Sequence, residues 1–202
     1  MVAVSLPPWV PGTESKPAPL PLLLVQAFVN THDIETDTDL LREPESARRW
    51  LTGAGLLDAA SAVAAEELAL TRQAREGVRA LLVANGGGVP ARPSDLEPLD
   101  ELARRCRPRL SLGANGEVGL ESEPGGGLDG GWSRLLLTIR DAQLDGTWPR
   151  LKACGNDDCG WAFYDRSHSR RGRWCDMSSC GNLIKNRNLR TRQRGSREPT
   201  AR

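Results

Sequence analysis

The feature that most constrains this chain is a set of four cysteines in two matched pairs. Cys154 and Cys159 enclose four residues, Cys175 and Cys180 enclose four more, and fifteen residues lie between the pairs. Each pair can aim two sulfurs at one point from a single tight knuckle, whose backbone N–H groups offset the thiolate charge. Two such pairs complete a tetrahedral metal shell. Gly155 and Gly160 suit the turns of the first knuckle. The expected ion is zinc, one per chain; sulfur ligation alone leaves iron open. Four thiolates leave no open coordination position, so the metal is expected to be structural. His168 lies inside the loop between the pairs, but the cysteines already fill the shell, and it reads as a surface or phosphate-facing imidazole.

Two disulfides are the competing reading of the same cysteines, and they require an oxidising compartment. Residues 1–21 hold six prolines and Lys16, with no basic start and no unbroken apolar run, so no export signal is expected. No run of about 18 uncharged apolar residues exists either, which excludes a membrane-spanning helix from the expectations. The expected location is the cytoplasm, with thiols reduced. The fifth cysteine, Cys106, falls on the apolar side of a helical pattern and reads as an inert, buried thiol.

Charge divides the chain in two. From Arg150 onward there are 13 basic and 5 acidic side chains, whereas the first 149 residues hold 14 basic and 21 acidic, so a formal net charge of +1 hides an acidic body and a basic end. Such an end points to an anionic partner. Arginine dominates: only Lys16, Lys152 and Lys185 are lysines among the 27 basic residues. That suits planar contacts to phosphates and bases, and a GC-rich genome would produce it equally well.

The body reads as mostly helical. After a Pro-rich flexible lead over 1–20, helices are expected from Leu22 to about Asn30 and from Glu45 to Thr52. A long third helix is expected to be capped by Asp58 and to reach about Ala84, with Ala60, Ala64, Leu68, Val78, Leu81 and Leu82 on its apolar side. The three glycines 86–88 end it. Ser94 and Glu97 form a capping-box pattern ahead of a short helix carrying Leu99, Leu102, Ala103 and Cys106 on one face. Leu110 and Leu112, a glycine-bounded turn over 113–116, then Val118 and Leu120 read as a β-hairpin. A last body helix places Trp132, Leu135, Leu136 and Ile139 together, and Gly146 and Pro149 mark the boundary to a separate cysteine-rich module.

Within that module Trp161, Phe163 and Trp174 read as its small core in preference to a base-stacking surface. Arg170, Arg171 and Arg173 have no such packing role. Ser178 or Ser179 is expected to cap a following helix with Lys185, Arg187, Arg190, Arg192 and Arg194 around its cylinder. A basic helix or arm of this kind suits a polyanion groove; a solvated tail is the plain alternative. In the body, Asn30, Thr31 and His32 are the candidate ligand pocket, with capping and turn roles as the alternative. No phosphate loop, nucleophile elbow or catalytic metal cluster occurs, so no enzymatic activity is expected.

The segment from Cys154 to Arg190 resembles the CGNR zinc finger of bacteria. The resemblance rests on the two cysteine pairs, Trp161 and Phe163 with Asp165 and Ser167, Arg173-Trp174-Cys175, Met177, and Cys180-Gly181-Asn182. The arginine that ends the motif is Leu183 here. The body is similar to the ABATE domain that commonly precedes this finger, through Phe28-Val29-Asn30-Thr31 and the Trp50-Leu51 and Gly55-Leu56 segment, with Ala27 where the family usually has Asp. The family is described as stress-induced transcription regulators, which implies DNA binding.

The expectation is therefore an α+β, mainly α protein. A helical N-terminal domain with one β-hairpin (21–146) precedes a small treble-clef or ribbon-like four-cysteine zinc module ending in a helix (150–194), and a disordered tail (195–202) follows. Its partner is expected to be duplex DNA, in the nucleoid, held by Arg170, Arg171, Arg173, Lys185, Arg187, Arg190, Arg192 and Arg194. The body would sense an unknown small molecule or partner. An RNA- or ribosome-associated protein and an adaptor for an acidic protein are the alternatives.

Overall fold

The computed structural model describes residues 6–11, 14–122 and 127–187. Arg190, Arg192, Arg194 and the tail 195–202 lie outside them. The body is built round α1 (Leu23–Val29), in which every residue is buried. Phe28 sets its ring edge-on to Trp132 at 5.2 Å and tilted against Trp50 at 6.2 Å. A helix apolar on all sides except Gln26, whose amide is satisfied by Ala18 and Ala162, is buried throughout, which places it at the centre. Round it lie α2 (Pro44–Gly53), α3 (Ala65–Asn85), α4 (Pro93–Arg105) and α5 (Gly127–Leu144), which presents Leu128, Trp132, Leu135, Ile139 and Ala142 to the core. No helix among the described residues is long and apolar enough to cross a membrane.

Three antiparallel strand pairs complete the order. Two tiny strands, β1 (His32–Asp33) and β2 (Thr38–Asp39), follow α1. The expected hairpin is β3 (Arg109–Leu112) with β4 (Val118–Glu121), in the register Leu110↔Leu120 and Leu112↔Val118. The third pair, β5 (Leu151–Ala153) with β6 (Ala162–Tyr164), frames the first cysteine knuckle. The fold class is the expected one: mainly helical, with short antiparallel pairs and a four-cysteine cluster leading into a helix.

Several boundaries differ from the sequence expectation. The third helix starts at Ala65, not after Asp58, and Ala60 and Ala64 are exposed. Two acids in its first turn, Glu66 and Glu67, suit the positive end of the helix, and the Glu67 carboxylate accepts the Ala64 N–H at 3.4 Å. These outcompete the single Asp58. The next helix begins at Pro93; its start is fixed by the Asp95 carboxylate accepting the Arg92 N–H at 2.9 Å, not by Ser94 and Glu97. Asp176, not Ser178 or Ser179, caps the C-terminal turn, accepting the Ser178 N–H at 2.8 Å.

The lead is no loose arm where it is described. Lys16 C=O accepts the Tyr164 N–H at 2.9 Å, and the Gln26 side-chain carbonyl accepts the Ala18 N–H. The cysteine-rich segment is not set apart either. Trp148, Leu151, Ala153, Ala162 and Tyr164 belong to the same buried cluster as α1, α3 and α5. Alternation explains this: Ala162 and Tyr164 point into the body core, while Phe163, between them, points to the other face of the ribbon. There the Lys16 ammonium lies 5.1 Å from the Phe163 ring centroid.

Candidate metal centre

Cys154 leaves the end of β5 and Cys159 precedes β6, so the hairpin turn itself is the first knuckle. Cys175 and Cys180 come from the turn that opens the helical segment 182–187. The four sulfurs lie within 4.8 Å of one another. Cys159 Sγ is 3.7 Å from Cys175 Sγ, which is 3.8 Å from Cys180 Sγ. A metal–sulfur bond of about 2.3 Å demands tetrahedron edges of about 3.8 Å, whereas a disulfide would need about 2.05 Å. The spacing therefore fits a metal shell and not a pair of disulfides.

The electrostatics agree. Hydrogen bonding from Cys159 and Cys175, then from the Cys175 and Asn156 amides, holds the Cys154 thiol far below its ordinary value, at about 2. The same pairing pushes Cys159 up to about 12 and Cys175 well above the usual thiol range. Sulfurs packed this closely cannot all be thiolates unless a cation lies among them; a divalent ion permits it, and the knuckle amides share the load. Cys106 is remote from this group and half-buried, and burial pushes its thiol up, as expected of an unreactive cysteine.

Two glycines show how tightly the knuckles are built. Gly160 has φ of +57°, and a Cβ there would meet Ile34 Cδ1 at 2.7 Å. A Cβ on Gly181 would lie 2.9 Å from Met177 Sδ and 3.2 Å from Trp174. Trp161 and Trp174 pack against the cysteine cluster. Phe163 does not join them; it is buried on the outer face of the ribbon, 1% exposed.

The loop between the pairs is pinned by a buried lysine. Lys152 Nζ donates to Asp165 Oδ2 at 2.8 Å, to Arg170 C=O at 2.6 Å and to Gly172 C=O at 3.2 Å. Asp165 also accepts the Ser167 and Gly172 N–H groups. Burial alone would raise the Asp165 carboxyl, but the bonds from Lys152, Ser167 and Gly172 outweigh it and hold the group well below the usual carboxylate range. Lys16 adds a second ammonium, donating to Trp174 C=O at 2.9 Å.

Arg170, Arg171 and Arg173 stand exposed on this pinned loop, and Lys185 and Arg187 stand exposed on the helical segment 182–187. Arg173 lies 5.6 Å from the centroid of the Trp174 ring. Arg187 is engaged, with Nη1 3.9 Å from Asp158 Oδ2. Leu183, where the finger's motif has arginine, is 52% exposed and points to no core.

The structure gives Asn30, Thr31 and His32 a different use from the expected pocket. Asn30 Oδ1 accepts the Ala162 N–H at 2.7 Å, and its Nδ2 donates to Ala162 C=O at 2.9 Å and to Glu14 Oε2 at 3.1 Å. It acts as a strand partner for the free edge of β6, next to the Lys16 carbonyl that covers Tyr164. Thr31 Oγ1 donates to Phe28 C=O and accepts from Arg75, which also grips Asp39 with two bonds of 2.6 and 2.9 Å. His32 Nδ1 faces Glu76 at 3.3 Å. Glu76 in turn holds Arg79, whose buried guanidinium donates to the Gly160, Val29 and His32 carbonyls. Burial pushes the Glu14 carboxyl up, against hydrogen bonds from Lys16, Trp161, Gln26 and Asn30. The Phe28–Thr31 segment is thus the joint between body and cysteine knuckle.

Comparison with known families agrees with this division. A family model, ABATE, described as "Putative stress-induced transcription regulator", matches residues 23–143, and a second, described as "CGNR zinc finger", matches residues 150–193. No curated protein gives a significant match.

Proposed function

Because the chain belongs to the ABATE family and ends in a CGNR zinc finger, we propose that it is a DNA-binding transcription regulator whose finger holds one structural zinc ion. Cys154, Cys159, Cys175 and Cys180 would hold the zinc. Bound there, it supplies no reaction chemistry; it locks the two knuckles together and so fixes where loop 165–173 and the helical segment 182–187 leave the body.

The observation that carries the reading is how the cations are partitioned. Most body arginines are committed to carboxylates, among them Arg42, Arg48, Arg75, Arg92, Arg104 and Arg105. Among the described residues, the exposed arginines and lysines in no ion pair are Arg166, Arg170, Arg171, Arg173 and Lys185 in the short finger, against Arg49, Arg107 and Arg134 on the much longer body, so the finger is enriched in them. Exposed guanidinium groups on a backbone pinned by Lys152 are placed to meet phosphates with little ordering cost. Arg190, Arg192 and Arg194, beyond the described residues, would extend the same surface, and the acidic body would steer DNA toward it.

A salt titration of duplex binding by the full chain tests this. If about six cations meet phosphates, log affinity falls against log salt with a slope of roughly −5. Arg171→Gln and Lys185→Gln should each flatten the slope by about one without altering sequence preference. Tighter binding to a structured RNA at matched salt, or slopes unchanged in both variants, would overturn the DNA reading.

A further inference from the structure

α5 turns one face, around Trp132 and Ile139, to the body core. Ser133, Leu136, Leu137 and Arg140, spaced i, i+3, i+4 and i+7, share a second face. That second face looks across a crevice of about 290 Å³ to Ala103, Cys106 and Pro108 at the end of α4 and to Leu120 of β4. Leu120, Leu136 and Leu137 are half-buried round it. A concave, mostly apolar space with few polar groups is the usual form of a small-molecule site. The polar groups here are few, and one sign of charge is present. Ser133 is buried, and burial pushes the Cys106 thiol up, so it stays neutral; its Sγ donates to Leu102 C=O at 3.3 Å. Arg140 is the one charged side chain in the lining among the described residues. Its Nη1 donates to Asp141 Oδ1 at 2.6 Å, but both side chains are half in water, and a surface pair of that kind contributes little. The other N–H groups of the guanidinium remain for a carboxylate.

We propose that this crevice binds a small apolar monocarboxylate, its hydrocarbon part among Pro108, Leu120, Leu136 and Leu137 and its carboxylate on Arg140. Charge selects the head group. A cationic ligand finds no carboxylate in the lining, and a multiply charged phosphate finds a single guanidinium, whereas one carboxylate matches one arginine with a planar fork. Volume selects the size. At the roughly 30 Å³ that a water molecule takes up in the liquid, the crevice has room for about ten non-hydrogen atoms, the size of a medium-chain fatty acid or a one-ring aromatic acid. The walls come from three elements, so an occupant bridges α4, α5 and the β3–β4 hairpin. A two-stranded hairpin is marginal by itself, and burying Leu120 against a ligand steadies it on the helices.

The test is calorimetric titration of octanoate into the full, metal-loaded chain without DNA, so its outcome is separate from the DNA reading. One saturable site with a Kd of ~0.1 mM is expected for a ligand of this size. Arg140→Gln should weaken octanoate about tenfold, the loss of one charge-assisted contact, and leave the weaker binding of octanol unchanged. Arg48→Gln, which removes the same charge from an ion pair on α2, should leave octanoate affinity as it is. Ala103→Leu, which adds bulk to the crevice wall from an exposed helical position, should weaken both ligands at least about fivefold. Arg140 and Ala103 are exposed, so helical signal and metal content should not change in these variants. No saturable octanoate binding by the wild type below about 5 mM, equal weakening by Arg140→Gln and Arg48→Gln, loss of octanol binding in Arg140→Gln, or full affinity in Ala103→Leu would each overturn the inference.

Discussion

Replacing Asn30 by alanine separates the two uses that this residue could have. In the structure its amide satisfies both backbone groups of Ala162, which is fully buried, and reaches Glu14. Truncation removes three hydrogen bonds. Ala162 C=O keeps Gln26 Nε2 at 3.2 Å, but the Ala162 N–H has no other partner at hand. A net hydrogen bond is worth about 1 kcal/mol, and an orphaned buried N–H costs a further 1–3 kcal/mol or so, giving about 3 kcal/mol in all. For a chain of this size each kcal/mol lowers Tm by roughly 2–4 °C, so a fall of about 6–12 °C is expected. The assay is urea and thermal unfolding of the metal-loaded chain, with metal release to a chromogenic chelator followed in parallel. Release should quicken, because β6 leads directly from Cys159. A stability change under about 0.5 kcal/mol with unchanged release would refute the joint and return Asn30 to the surface-like behaviour of a pocket residue.

Cys180→Ser should lose most of the bound metal by elemental analysis, while Cys106→Ser, remote from the cluster, should retain it. Lys152→Met should destabilise the chain by about 3–5 kcal/mol at neutral pH, because it strands a buried carboxylate. In the wild type the Asp165 carboxyl is held below its unfolded value, so its contribution is full above that value and is lost only as pH falls through the folded one. Without Lys152, burial is opposed only by the Ser167 and Gly172 bonds, so the Asp165 carboxyl lies higher than in wild type. The deficit of the variant relative to wild type should therefore shrink in urea midpoints as pH falls through that higher value; a deficit that stays constant or grows on acidification counts against the pair.

The metal ligands were legible because knuckle spacing is a local property: four residues between sulfurs is a turn, whatever surrounds it. The helices of the body were legible by apolar period, and the hairpin by its alternation around 113–116. The starts of α3 and α4 were not, because Glu67 and Asp95 cap the helix from inside its first turn, a competition that a single candidate cap such as Asp58 or Ser94 does not reveal. The joint at Asn30 was hidden for a different reason. Its partner, Ala162, is 132 positions away and contributes only backbone, which leaves no side-chain signature. Lysine usage did hold a signal. Of three lysines among 27 basic residues, Lys16 and Lys152 both serve as donors to loop carbonyls at the finger. A compact ammonium with three donors can sit inside such a ring, where a planar guanidinium would not fit.

The break at Gly146 and Pro149 is real as a change of composition but not as a break in packing. Leu151 and Ala162 lie on either side of the first knuckle and are wholly buried in the body core, so the ribbon belongs to the body, and the knuckle's own packing is that of Trp161 and Trp174 on the cysteines. Its orientation is fixed at two points from different helices. Asn30, at the end of α1, holds the backbone of Ala162, and Arg79, on α3, holds the carbonyl of Gly160. Gly160 adjoins Cys159, and Arg79 also holds the carbonyls of Val29 and His32. A displacement of α3 against α1 therefore cannot leave the position of Cys159 unchanged unless one of these bonds breaks. A metal held by the four cysteines would in turn tie Cys159 to Cys175, two residues from Arg173. With a metal bound, Arg79, Gly160, Cys159 and Cys175 would form a continuous route of contacts from α3 to the loop that carries Arg173.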